Sequence, residues 1–192
     1  MNDPRQVLDF WFAPPGHVEH DKTRAVWFKK DLAFDAEIRT RFAALIESGL
    51  KGGLAPWRTT PDGAVAEIIV LDQFTRNSFR DAPRAFAGDA RALEAAKALV
   101  ASGADRALPG VRRQFVYLPF EHAEDLAMQN ESMRLFTQLA NEEPALADLP
   151  KWAESHRAII ARFNRFPHRN AVLGRTSTPR EEAFLKEPGS SF

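Results

Sequence analysis

Apolar side chains in this sequence recur every three or four residues and nowhere alternate with polar ones over the length of a strand, so the chain is built to bury helical stripes. Trp152, His156, Ile159, Ile160 and Phe163 follow one another at steps of four, three, one and three, which predicts one buried stripe and carries His156 inward. The punctuation agrees. Asp3-Pro4 opens a helix bearing Val7, Leu8 and Trp11, and Pro14-Pro15-Gly16 stops it. Asp35 is the expected cap of a second helix carrying Ile38, Phe42, Leu45 and Ile46, which Gly49, Gly52 and Gly53 end. Asp62-Gly63 precedes Val65, Ile68, Ile69 and Phe74, apolar on most sides and so a central helix. Gly88-Asp89 opens an alanine-rich helix with Ala92, Leu93, Ala96 and Leu99, closed near Gly103. Pro109, Gly110 and Pro119 punctuate the next stretch, after which 120–129 and 132–141 read as one interrupted helix or two short ones. Thr178-Pro179-Arg180-Glu181 matches a capping box for a last short helix with Phe184 and Leu185 on its apolar face.

The fold class is therefore all-α, with about eight helices in antiparallel pairs joined by short connections. A chain of 192 residues is sized for one domain, placed at 1–187 with a fraying tail at 188–192. The 26 basic and 26 acidic residues cancel, which removes the global positive field expected of a protein that binds nucleic acid through its phosphates. With no cysteine, thiolate nucleophiles, thiolate metal sites and disulfides are excluded. No secretory leader and no membrane-spanning run is visible, so the expectation is a soluble, cytoplasmic protein without a membrane partner. The tryptophans Trp11, Trp27, Trp57 and Trp152 read as core and interface anchors, with Trp57, beside Pro56, the most exposed.

Charge is distributed unevenly. Residues 155–180 hold six arginines, Arg157, Arg162, Arg165, Arg169, Arg175 and Arg180, with two histidines and no acid. The preceding 119–154 holds eight acids against Arg134 and Lys151. Pairing between these blocks is the favoured reading, because buried charges are normally matched; anion binding through the planar guanidinium fork is the alternative. Asp72 and Arg76 stand four residues apart, with Gln73 and Asn77 on the adjacent strip, and are expected in a satisfied buried network. His122 lies among Glu121, Glu124 and Asp125, but His122, His156 and His168 come from three separate segments with no zinc spacing, so no metal and no cofactor is expected. Serine-elbow, P-loop and dinucleotide fingerprints are absent.

Three motifs carry a resemblance: Leu71-Asp72-Gln73-Phe74-Thr75-Arg76-Asn77, Tyr117-Leu118-Pro119-Phe120-Glu121-His122-Ala123-Glu124-Asp125, and Phe163-Asn164-Arg165-Phe166-Pro167-His168-Arg169-Asn170 continuing to Leu173-Gly174-Arg175. In this order they resemble the bacterial family called domain of unknown function 924, over nearly the whole chain. The resemblance implies a right-handed, tetratricopeptide-like (TPR-like) helical array and brings no catalytic residues with it. Thr75, Ala123 and Asn164 stand where that family commonly has proline, serine and glycine. Ala123 removes a hydroxyl and with it any serine mechanism there, whereas Asn164 tolerates the left-handed conformation of a glycine.

These segments are expected to converge on one polar pocket formed by Asp72, Gln73, Arg76, Asn77, His122, Glu124, Gln129, His156, Arg165, His168, Arg169, Asn170 and Arg175. The leading functional reading is a binding protein for a small anion or an acidic peptide. The alternatives are an enzyme on a small anionic or phosphorylated substrate, with histidine as acid or base, and a purely structural cluster. Oligomeric state has no signature in the sequence.

Overall fold

The computed structural model describes residues 3–191; Met1, Asn2 and the expected tail's last residue, Phe192, lie outside them. Among the described residues there is no strand, and the helices follow the expected order. Helix α1 (Pro4–Phe12) is capped by Asp3, whose Oδ1 accepts the Arg5 amide at 2.9 Å, and buries Val7, Leu8, Trp11 and Phe12. Helix α2 (Leu32–Leu50) is capped by Asp31, whose Oδ1 accepts the amides of Ala33 and Phe34. Asp35, the expected cap, lies instead within the first turn. Its side chain is 1% exposed and accepts from Arg80 at 2.5 and 3.0 Å and from Asn77 at 2.7 Å. Capping residues four apart in sequence are indistinguishable until packing decides which faces inward.

Helix α3 (Pro61–Ile68) starts on the Thr60 hydroxyl, widens into a π-helical turn over Ile69–Phe74, and continues as α4 (Thr75–Ser78). Counted as one continuous helix, this segment brings the described helices to the eight expected. It is the centre of the fold, packing against α1, α2, α5 (Asp89–Ala101) and α6 (Gly110–Glu121). Val65, Ile68, Ile69, Val70, Leu71 and Phe74 have no exposed surface. Each contributes about 1.5–3 kcal/mol of burial, which holds the π turn against its poorer hydrogen bonding.

Pro119, read as punctuation, sits inside α6, which runs on to Glu121, and the interruption expected between 129 and 132 falls instead at residues 122–125, the next helix running unbroken through 130–131. Asp125 then caps α7 (Leu126–Glu142) through the Met128 amide. Helix α8 (Leu149–Phe163) ends at Asn164 in the left-handed conformation, φ 58°, as expected of a residue in a glycine's place. His156, Ile159 and Ile160 face inward, but Trp152, assigned to the same stripe, is 60% exposed. It lies in the first turn of the helix. Trp57, expected to be the exposed tryptophan, packs partly buried against the core. Helix α9 (Pro179–Phe184) carries the capping box with both of its bonds, Thr178 N–H to Glu181 and Glu181 N–H to Thr178. Leu185 stays at the surface while Phe184 is buried with Ile159, Ile160 and Phe166. No described helix is long and apolar enough to cross a membrane.

Candidate functional site: a cationic cleft lined by three histidines

Helix α5 begins hard against the π turn. A Cβ on Gly88 would stand 2.1 Å from the Leu71 carbonyl oxygen, so only glycine permits this approach. That carbonyl is served by the Thr75 hydroxyl at 2.7 Å. The close approach brings Asp89, in the first turn of α5, within reach of Arg76, whose Nη1 and Nη2 donate to its two oxygens at 2.7 and 3.0 Å.

The π turn also carries Asp72, 1% exposed. Its Oδ1 lies 2.7 Å from His122 Nδ1 and 3.0 Å from Arg76 Nη1, and its Oδ2 accepts from Gln73 at 2.6 Å. Burial alone would raise the Asp72 carboxyl, but the Arg76 guanidinium and the His122 and Gln73 hydrogen bonds hold it well below the usual carboxylate range. A charged carboxylate only accepts, so Nδ1 of His122 carries a proton. Burial pushes the imidazolium form of His122 down; Asp72 opposes this, and Arg76 and Arg169 add to it.

Above this dyad opens a cleft of about 780 Å³ lined by Lys30, Arg76, Arg80, Asp81, Ala85, Phe86, His122, His156, His168, Arg169, Ala171 and Val172. Four cations and one acid thus reach its wall, with Asp35, Asp72 and Asp89 behind the guanidinium groups. The three arginines differ in how fully they are used. Arg80 is paired bidentately with Asp35, and Arg76 with Asp89. Arg169 is 7% exposed and donates through Nη1 to the His122 carbonyl at 3.0 Å, with Asp89 3.8 Å away. Its buried Nε has no hydrogen-bond partner. Its guanidinium lies over Phe166 and Phe86, 4.4 and 4.9 Å from the ring centres, the latter ring shared with Arg76. Burial, and then Arg76, lower the Arg169 guanidinium to about 10. Burial likewise lowers His156 to about 3 and His168 to about 4, so both are uncharged at neutral pH. Behind His156, 3.4 Å from its Nδ1, Glu121 is pushed up to about 8 by burial and by Asp72.

Of the thirteen residues expected to converge, Arg76, His122, His156, His168 and Arg169 line this cleft, with Asp72 and Gln73 directly behind them. The other six sit elsewhere. Asn77 turns to Asp35. Gln129 is fully buried and donates to the carbonyls of Glu121 and Ala123, closing the end of α6. Arg165 pairs with Glu181 at 2.6 and 2.8 Å. Glu124 takes two bonds from Arg175 and one from the Phe166 amide, and Asn170 bridges Arg175 and Ser177. The favoured pairing of the basic block thus holds for Arg157, Arg162, Arg165 and Arg175, but two of their four partners, Glu181 and Glu187, come from the C-terminal segment rather than the acidic block. Arg169 and Arg180 are not among these four, and Arg169 reaches only Asp89, at 3.8 Å. Sequence reasoning missed Lys30, Arg80, Asp81, Phe86 and Asp89; only Asp89, next to the Gly88 break, carried a signal. No group of three or more His, Asp or Glu side chains suited to a metal ion occurs among the described residues.

Fold and site together define an all-helical protein with a cationic, histidine-lined cleft closed in by a π turn. The chain belongs to the family described as bacterial protein of unknown function (DUF924), which it matches over residues 7–189. It is similar to a solved structure of a protein of unknown function, ATU0120 from Agrobacterium tumefaciens: the two are 36% identical, the match covers 95% of this chain and 96% of that one, and the TM-score is 0.82. No curated protein matches the chain.

Proposed function

We propose that this protein is a cytoplasmic binding protein for a small anion, held in the cleft with Arg169 as the principal donor. The observation that carries the reading is Arg169 itself, a guanidinium on the cleft wall that is more than nine-tenths buried and has no carboxylate at hydrogen-bond distance, Asp89 standing 3.8 Å away. Such a donor is costly to bury unless something completes it. A volume of about 780 Å³ is that of a small-molecule site and favours a compact anion over an acidic peptide. The neighbour packing of α6, α7 and α8 is consistent with a TPR-like array, and such arrays present their ligands from helix-lined grooves.

The test is calorimetric titration with inorganic phosphate, sulfate and succinate at low ionic strength. Saturable binding that Arg169→Gln weakens at least tenfold supports the reading; heats that never saturate for any of the three anions end it. Melting temperature alone is insufficient, because phosphate and sulfate stabilise most proteins by exclusion from their surface.

A second reading, catalysis, is favoured by the 2.7 Å contact between Asp72 and His122, the arrangement of a carboxylate orienting a general base. Turnover of phosphate monoesters followed by mass spectrometry decides it: product formation lost in His122→Ala supports an enzyme, and binding without product supports the first reading.

A further inference from the structure

The Asp72–His122 pair fixes more than the ring's orientation. Nδ1 of His122 is committed to Asp72, while the same ring forms part of the cleft wall, so the nitrogen left for a ligand is Nε2. Asp72 cannot donate to Nδ1 while it remains a carboxylate, and Arg76 and Gln73 keep it one. The buried ring, between Arg76 and Arg169, is held neutral. A neutral imidazole with its proton on Nδ1 has a bare lone pair on Nε2, an acceptor set among donors.

We infer that the cleft selects anions that carry their own proton donor, such as hydrogen phosphate, phosphate monoesters and α-hydroxy acids, and discriminates against anions that have none, such as sulfate. The inference rests on the anion-binding reading above and specifies its ligand class. An anion lodged on Arg169 brings its oxygens towards the His122 side of the cleft, because Arg169 Nη1 is itself bonded to the His122 carbonyl at 3.0 Å. A ligand hydroxyl or P–OH completes the Nε2 lone pair. A sulfate oxygen opposes it, lone pair against lone pair, in a site where an unmet acceptor costs about one to two orders of magnitude in affinity.

Hydrogen phosphate and sulfate are tetrahedral anions of nearly one size and, at about pH 7.5, comparable charge, so their comparison isolates the proton. Calorimetric titrations there are expected to give phosphate at least about tenfold tighter than sulfate. In His122→Ala the ratio is expected to fall towards one, since water in the vacated space donates or accepts as required. If that variant does not fold, the wild-type imidazole nitrogens are read by long-range nitrogen–proton correlation NMR: a protonated Nδ1 and bare Nε2 support the inference, and a proton on Nε2 overturns it. Equal affinity for the two anions overturns it as well and leaves the anion site standing. Absence of binding by either anion removes both.

Discussion

Nδ1 of His122 lies 2.7 Å from Oδ1 of Asp72, fifty residues earlier in the chain. The two meet because the π turn projects Asp72 towards the break between α6 and α7, where His122 is the first residue past the helix. Asp72 there balances Arg76 as well, so it has electrostatic duties towards two neighbours at once.

Asp72→Asn removes the charge that Arg76 and His122 share. Leaving a guanidinium in a buried network without one of its carboxylates costs about 3–5 kcal/mol at worst, and the Asp89 pairing of Arg76 reduces the loss. We expect about 2–3 kcal/mol in urea unfolding, with a further fall of the His122 pKa in NMR titration, since Asp72 is the group that raises it. An unchanged His122 titration would contradict the dyad.

Stability should peak near pH 6.5. His156 and His168, lowered to about 3 and about 4, stay neutral in the fold, whereas the unfolded chain protonates them below about 6.5. Stability therefore drops as pH falls from that point. Glu121 acts in the opposite sense. Raised from 4.5 to about 8, it keeps a proton that the unfolded chain loses above about 4.5, so its contribution declines as pH rises to about 8. Urea unfolding across pH should show both arms, and Glu121→Gln should flatten the alkaline one and steepen the acid one between about 4.5 and 6.5.

Gly88→Ala is expected to destabilise by about 1–3 kcal/mol, because its Cβ meets the Leu71 carbonyl oxygen at 2.1 Å. The displacement also draws Asp89 away from Arg76, so anion affinity changes with it. Gly103→Ala is the control: φ is 72° but nothing lies within 4 Å, and the cost should be only about 1 kcal/mol. Thermal melts of the two variants separate crowding from backbone conformation.

Glu124→Gln tests whether the Arg175 clamp serves structure alone. The pair is about a quarter exposed on each side, so screening limits the loss to about 1 kcal/mol. Hydrogen exchange should quicken at the Phe166 amide, which bonds to Glu124 Oε1 at 2.7 Å. Phosphate affinity should stay within about twofold, and a much larger loss would place Glu124 in the ligand site.

The expected identity of most helices follows from effects that act within a few residues. Asp3 before Pro4, the Thr178–Glu181 box and the left-handed Asn164 are short-range conformational choices, and the stripe of His156, Ile159 and Ile160 is periodicity alone. Local rules misplaced the cap of α2 and the break between α6 and α7, because Asp31 and Asp35 have the same intrinsic preference, and a proline within a helix is tolerated where packing holds the turn.

Sequence by itself determined the all-helical class, the order of the elements and the segments from which the polar residues come. Tertiary structure decided which of those residues share a cleft. Arg165 and Arg169 lie four residues apart in sequence, yet one is spent on Glu181 and the other lines the cleft beside His122. Which carboxylate lies nearest depends on how helices distant in sequence pack, and at interatomic distances a shift of a few ångströms separates a satisfied ion pair from an available donor.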